Sequence, residues 1–234
     1  MIEKFKSALV GLGASWTLYL MLALSTISLA VMLERAWLYW SLRDDLTKLM
    51  KDLGALLREK DLKGARKRLE GSPSSEAAVV IAGLVEAEHG PEAAEEAMAG
   101  ASALQRDRLE RRLAFLGTLG NNAPFLGLLG TVIGILAAFD ELSKSKAGGA
   151  PTGAMAPEGV MGAISEALVA TAVGLIVAIP AVAAFNTFQR IVKSTLSNTE
   201  ALGCVLMGHL RAEAEASGTP ATTSSKSASS AKES

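Results

Sequence analysis

Cysteine and histidine are scarce in this sequence, and the charges of the two signs almost balance. Cys204 is the single cysteine, so no disulfide can form within the chain and no thiol-based zinc or redox motif can be built. The two histidines, His89 and His209, lie far apart and lack metal-ligand spacing. The formal net charge is only -1, which gives no sign of a nucleic-acid partner. We therefore expect no metal site, no cofactor and no nucleic-acid binding.

Catalytic motifs and strand patterns are lacking as well. The sequence holds no Ser/His/Asp arrangement, no nucleotide motif and no pair of acids spaced for acid–base chemistry. The glycines of Gly127-x-x-Gly130 are not a phosphate loop, because no strand precedes them and no Gly-Lys-Ser/Thr follows. Alternation of apolar and polar residues is too short anywhere to predict a strand. These observations predict an all-α protein that is not an enzyme.

What is abundant is apolar sequence, gathered into three long runs without Asp, Glu, Lys or Arg. The runs are Ser7–Leu33, Leu113–Phe139 and Ala167–Gln189. Each exceeds the ~20 residues that a helix needs to cross a ~30 Å hydrocarbon core. The first run is too long for a signal-peptide core and ends at Glu34-Arg35 without an Ala-x-Ala cleavage site, so we interpret it as an uncleaved anchor. The sequence predicts an integral membrane protein with three transmembrane helices.

Basic residues predict the orientation of these helices. The stretch between the first two runs carries most of the Lys and Arg, whereas the loop between the last two carries only Lys144 and Lys146. By the positive-inside rule the N-terminus is periplasmic and the C-terminus cytoplasmic, although Lys4 and Lys6 mildly oppose this. The predicted segments are a periplasmic start (1–15), a first transmembrane helix (16–33), a cytoplasmic helical region (34–112), a second transmembrane helix (113–139), a periplasmic loop (140–158), a third transmembrane helix (159–189), a cytoplasmic helical extension (190–217) and a disordered Ser-rich tail (218–234).

The cytoplasmic region shows helical periodicity. Leucines recur every three or four residues from Leu42 to Leu57, and Ala77 to Leu84 carries a second apolar stripe. Gly71-Ser-Pro73 and His89-Gly90-Pro91 predict breaks. From Pro91 onward the pattern predicts one long helix that continues into the second transmembrane helix. The charge runs in this region are interpreted as solvated helix faces.

Four polar residues within or beside the apolar runs are candidates for function: Glu166, Thr131, Thr171 and Asn186. A carboxyl at membrane depth is costly and should face a cavity or a partner, where burial would favour proton exchange. The alternative is that Glu166 sits at the interface and reaches the outer surface. The threonine hydroxyls could line a wet pore, or simply bond to carbonyls of their own helices. Asn186 is a further polar contact near the inner end.

Small residues recur at three- and four-residue spacing in the last two runs. The helix-packing candidates are Gly127, Gly130, Gly134, Ala170, Gly174 and Ala178. Such stripes let helices approach closely in lipid, where packing drives association. Pro124 and Pro180 are expected to bend their helices.

Two segments together resemble one family. Asn122–Phe139, NAPFLGLLGTVIGILAAF, and Ile164–Asn186, ISEALVATAVGLIVAIPAVAAFN, resemble the corresponding transmembrane segments of the ExbB/TolQ/MotA proton-channel group. Over Met1–Glu110 the resemblance is one of topology only. Closest are the TolQ/ExbB-type subunits and their gliding-motor relatives, because the flagellar MotA branch has four transmembrane helices.

The resemblance implies a homopentamer in the bacterial inner membrane whose second and third transmembrane helices line a central pore. Two copies of an ExbD/TolR-like single-span protein would occupy that pore, and proton flow would drive envelope work such as outer-membrane import, envelope integrity or gliding. Thr131 and Thr171 match the pore-facing threonines of the family, and Glu166 matches its glutamate. Two alternatives stay open: a non-conducting membrane scaffold, and a small-solute transporter, which would normally show more helices and internal repeats.

Overall fold

The computed structural model describes residues 15–147 and 156–216, and every described element is helical. The predicted periplasmic start (1–15) lies outside these residues apart from Ser15, and so does the whole predicted Ser-rich tail (218–234). The helices are α1 (Ser15–Ser41), α2 (Leu46–Arg58), α3 (Leu62–Glu70), α4 (Ser75–Glu86), α5 (Pro91–Glu110), α6 (Leu113–Ala147) and α7 (Ala156–Ala216), with a 3₁₀ turn at Ala87–His89. The predicted all-α class is confirmed for the described part of the chain.

Three helical stretches among the described residues are long and apolar enough to cross a membrane, and they contain α1, α6 and α7. Tyr19 and Trp37 on α1 are each 73% exposed. Trp37 lies 18 positions after Tyr19, which corresponds to about 27 Å of helix and is close to the thickness of a hydrocarbon core. Aromatic side chains favour the two membrane interfaces. The exposed aromatics therefore sit where the ends of a membrane-crossing α1 require them.

Two helices extend beyond the uncharged runs that predicted them. Helix α6 continues past Phe139 to Ala147, so the segment between it and α7 is shorter than the predicted loop 140–158. The end of an uncharged run therefore does not mark the end of a helix. Helix α7 is uninterrupted over 61 residues.

The chain divides into two compact units. The membrane unit comprises Met1–Trp40 and Glu110–Ile191, and the second unit comprises Ser41–Leu109 and Val192–Ser234. In the membrane unit, Met21, Leu119, Ala123, Val177 and Ala178 form a buried cluster, which joins α1 to the pair formed by α6 and α7.

The second unit has a hydrophobic core built from the predicted leucine stripe. Leu49, Leu53 and Leu57 of α2 are almost fully buried and share one cluster with Leu202 and Leu206 of α7. Asp45, Asp61 and Ser74 begin α2, α3 and α4 by accepting hydrogen bonds from backbone N–H groups of the first helical turn. Capping begins three short helices, α2, α3 and α4, and the shared cluster packs them against the end of α7.

Two helix breaks were not predicted. Lys60 between α2 and α3, and Arg112 between α5 and α6, adopt φ values of 59° and 66°. The prediction of one continuous helix from Pro91 into the second transmembrane helix is therefore wrong, because the chain turns at Arg111–Arg112. The predicted break at His89-Gly90-Pro91 is confirmed: Gly90 has φ 107° and Pro91 is the first residue of α5.

Glu76, in the first turn of α4, is a pH-sensitive position in the second unit. Burial raises the pKa of the Glu76 carboxyl, and a hydrogen bond from Asn198 only partly opposes this, while the negative charge of Asp44 raises the pKa further. A carboxyl whose pKa is raised in the folded state stabilises the fold fully below its unfolded pKa of about 4.3. That contribution is lost as the pH rises through the folded-state pKa.

We expect Glu76→Gln to stabilise the protein at neutral pH and to flatten its pH dependence. The amide has no charge to bury and can still accept from Asn198. Thermal unfolding in detergent between pH 4 and pH 8 measures the effect, which should reach a few degrees at pH 8, the scale of about 1 kcal/mol in a chain of this size. Glu200→Gln, an exposed change on α7, is the control and should leave the profile unchanged. An equal shift in both variants would contradict burial as the cause.

Candidate functional site

The α6–α7 hairpin brings most of the predicted site residues together. A methyl group placed on Gly127 would lie 3.0 Å from Thr171 Cα and 3.4 Å from Gly174 Cα. A methyl group on Gly174 would lie 2.8 Å from the carbonyl oxygen of Ala123. Backbones this close leave no room for a side chain at either position. The two glycines therefore form the closest approach of α6 and α7 among the described glycines of these helices.

The same face continues in both directions. A methyl group on Gly130 would lie 2.7 Å from the Ala170 methyl, and one on Gly134 would lie 2.6 Å from the Ala167 methyl. Towards the other end, Gly120 faces Val182 and Gly117 faces the Phe185 ring. The small-residue stripe therefore packs the two helices of a single chain against each other. Ala178 lies in the buried cluster with Met21 and Ala123.

The paired positions show that α6 and α7 run antiparallel. Contacts at rising α6 numbers fall at decreasing α7 numbers, from Gly117 opposite Phe185 to Gly134 opposite Ala167. Gly130, next to Thr131, faces Ala170, next to Thr171. The two predicted threonines consequently lie at the same height along the hairpin, near its middle.

The two threonine hydroxyls differ in their bonding. Thr131 Oγ1 donates to the carbonyl oxygen of Leu128 at 2.7 Å, the local bond expected of a threonine with no other role. Thr171 Oγ1 is buried and has no hydrogen-bond partner in the described part of the chain. A buried hydroxyl without a partner costs about 1–3 kcal/mol. Thr171 thus carries an unsatisfied hydroxyl among the described residues, whereas Thr131 does not.

The remaining polar candidates lie elsewhere on the hairpin. Glu166 is half-buried on α7, more than one turn from Thr171. Asn186 is exposed near the other end of the apolar run. Pro124 and Pro180 lie inside uninterrupted helices, where each removes one backbone hydrogen bond. The structure therefore places Thr131 and Thr171 at the same height on adjacent helices and sets Asn186 apart from them.

Sequence reasoning missed the contribution of α1. Thr17 is buried, and its hydroxyl oxygen would lie 3.0 Å from a methyl group on Gly130. At the other end of α1, Arg35 is buried, Glu34 forms an ion pair with Arg112, and the Tyr39 ring lies 5.3 Å from the Phe188 ring. The spacing of Thr17, Met21, Ser28 and Arg35 on one helical face is a signal that could have identified this buried side.

These features define a helical membrane protein with three candidate transmembrane helices, whose α6–α7 hairpin carries Thr131 and Thr171 at the same height. The MotA/TolQ/ExbB proton channel family matches residues 71–201, more than half of the chain. The match includes Thr131, Glu166 and Thr171. The chain belongs to this family.

The relatives that match carry the names ExbB and TolQ. The chain is 42% identical over 90 residues to the biopolymer transport protein ExbB of Xanthomonas campestris pv. campestris, which covers 38% of this chain and 33% of the relative. It is 43% identical over 93 residues to the Tol-Pal system protein TolQ of Pseudomonas aeruginosa, covering 40% and 37%. A putative ExbB-like protein 2 of Helicobacter pylori is 44% identical over 82 residues, covering 35% and 50%. The matches span a third to a half of the length of these relatives.

Proposed function

We propose that this chain is the proton-conducting subunit of an inner-membrane motor of the ExbB/TolQ type. The observation that carries the proposal is the Thr171 hydroxyl, which is buried without a partner at the same height as Thr131. A hydroxyl in this position can hydrogen-bond to water or to an acidic side chain brought by another protein. Membership of a proton-channel family supports this chemistry.

The assembled form that fits the proposal is a homopentamer around a pore, with two copies of an ExbD/TolR-like single-span protein inside. Exposed Leu, Ile and Val side chains cover α6 and α7 in the single chain, which leaves large apolar surfaces for lipid or for further subunits. The proton-carrying carboxylate would come from the partner, with Glu166 of this chain at one end of the pathway. Each proton that crosses the membrane supplies about 2.3 kcal/mol per 100 mV.

We do not assign the motor to one particular envelope process, because relatives named ExbB and TolQ match the chain almost equally well. We propose a periplasmic N-terminus and a cytoplasmic C-terminus, which follow from the basic residues between the first two transmembrane helices. Outer-membrane import, envelope integrity and gliding are all compatible with that orientation.

Native mass spectrometry of the detergent-purified chain tests the proposal. We expect a species of five copies that binds two copies of a co-expressed ExbD/TolR-like protein from the same bacterium. The lumen of proteoliposomes that contain this complex should acidify when a membrane potential is imposed. Proteoliposomes that contain the chain alone give the rate for comparison. A monomer or dimer that ignores the partner would contradict the motor proposal and favour a scaffold or a transporter.

A further inference from the structure

Charges in the second unit are sorted by sign along the chain. The segment Arg58–Arg68 contains six basic and two acidic residues. The segment Glu86–Glu96 contains five glutamates and neither Lys nor Arg. Protein surfaces ordinarily mix both signs, and separated fields serve association and steering. The sorting therefore needs a reason beyond solvation.

Several of these charges are exposed and without an ion-pair partner within their own unit. Arg58, Lys63 and Lys67 have no acidic group within 4.0 Å in the described part of the chain, although nearby Lys60 pairs with Glu213 and Arg68 pairs with Asp52. Glu88 and Glu96 are likewise exposed and have no basic partner among the described residues, whereas Glu95 pairs with Arg211. Lys63 and Lys67 on α3 and Glu96 on α5 thus have no ion-pair partner among the described residues, whereas Glu92 already takes part in an interaction and would add only its charge to a contact.

The two sets form rows of similar pitch. Lys63 and Lys67 are four residues apart on α3, and Glu92 and Glu96 are four residues apart on α5, so each pair points to one side of its helix. Helix α3 packs on α4, and Met98 of α5 contacts Gly83 of α4. Because both helices are fixed to one core, the rows cannot turn to meet each other within a single chain.

We propose that the basic row Lys63/Lys67 on α3 of one copy docks on the acidic row Glu92/Glu96 on α5 of the next copy. The contact joins two different surfaces of identical chains, which is the head-to-tail geometry that closes a ring. Charge complementarity selects a second copy as the occupant, because the chain itself presents both signs. This inference rests on the proposed ring assembly and names the surfaces that would hold it in register.

Charge reversal tests the contact in the full-length chain. We expect Lys63→Glu with Lys67→Glu to raise the concentration at which the assembly dissociates by about tenfold, equivalent to about 1.4 kcal/mol. Glu92→Lys with Glu96→Lys should do the same. The four changes combined should restore assembly, because the rows are exchanged rather than lost. Lys63→Arg with Lys67→Arg keeps the charge and is the control, and circular dichroism checks that each variant is folded.

Four outcomes are distinguishable by native mass spectrometry at two salt concentrations. Three results together support the contact: each double reversal weakens assembly, the combination of all four changes restores it, and the reversed and wild-type chains assemble equally at high salt. A wild-type chain that never assembles overturns the proposed function together with this contact. A normal pentamer in every variant overturns the contact alone. Normal assembly with weaker binding of the Lys63/Lys67 reversal to phosphatidylglycerol vesicles would assign the basic row to lipid instead and overturn the contact.

Discussion

Thr171→Val should abolish most proton conduction while leaving the protein at least as stable as the wild type. Valine replaces the hydroxyl with a methyl group of the same shape, so packing against Gly127 is kept. The variant loses the only feature of Thr171 that can bond to water or to a partner carboxyl. A hydrogen bond to a charged group contributes about 1.5–3 kcal/mol, which corresponds to roughly tenfold or more in rate. Proton uptake into proteoliposomes of the complex measures the loss.

Stability is expected to move in the opposite direction because Thr171 Oγ1 has no partner among the described residues. Removing a buried, unsatisfied hydroxyl relieves a desolvation cost rather than breaking a bond. Thermal unfolding in detergent should therefore show an unchanged or raised melting temperature. This combination separates a role in conduction from a role in folding, since a structural threonine would lose both.

Two control variants, Thr187→Val and Thr171→Ser, and one further test variant, Thr131→Val, complete the experiment. Thr187→Val changes a threonine of the same helix whose Oγ1 donates to the Ala183 carbonyl oxygen, and conduction should be unaffected. Thr171→Ser keeps the hydroxyl and should keep most of the conduction. Thr131→Val should also lower conduction if the hydroxyls at this height act together. Wild-type rates in Thr171→Val would remove that hydroxyl from the proton pathway.

The fold was predictable to the extent that single residue types control it. Uncharged runs identified the three candidate transmembrane helices, and the spacing of Leu49, Leu53 and Leu57 identified the buried face of α2. Gly90 and Pro91 marked a real break because they favour it locally. The breaks at Lys60 and Arg112 were invisible, because lysine and arginine do not favour positive φ and only their surroundings impose it.

The candidate site could likewise be predicted from the sequence only in part. Composition showed two threonines and a stripe of small residues, and a family resemblance joined them to one function. The sequence could not show that the Thr131 hydroxyl bonds to its own helix while the Thr171 hydroxyl does not. The bonding of each hydroxyl depends on the rotation of its side chain and on the neighbouring atoms. The sequence also could not show that the small residues pack α6 against α7 within one chain. Stripes of small residues with the same spacing can also mediate contacts between the helices of different subunits.

Gly174→Ala should destabilise the membrane unit although it adds only one methyl group. The new carbon would lie 2.8 Å from the Ala123 carbonyl oxygen and 3.1 Å from Gly127 Cα, and both are backbone atoms that cannot rotate away. Overpacking of this kind costs about 1–3 kcal/mol. Gly130→Ala should cost a similar amount, because the Ala170 methyl carbon at 2.7 Å is fixed to its backbone and cannot rotate away either. Thermal unfolding in detergent measures both variants.

Gly162→Ala is the matched control, since it lies on the same helix with no atom within 4 Å of the added carbon. There the methyl group adds helix propensity worth up to about 1 kcal/mol, so the melting temperature should stay the same or rise. Opposite signs at positions 162 and 174 would show that close approach, not the loss of glycine itself, sets the cost. If Gly174→Ala unfolds like the wild type, the α6–α7 contact is looser than its geometry requires. If only the pentamer is lost while the monomer stays stable, the stripe acts mainly between subunits and not within the chain.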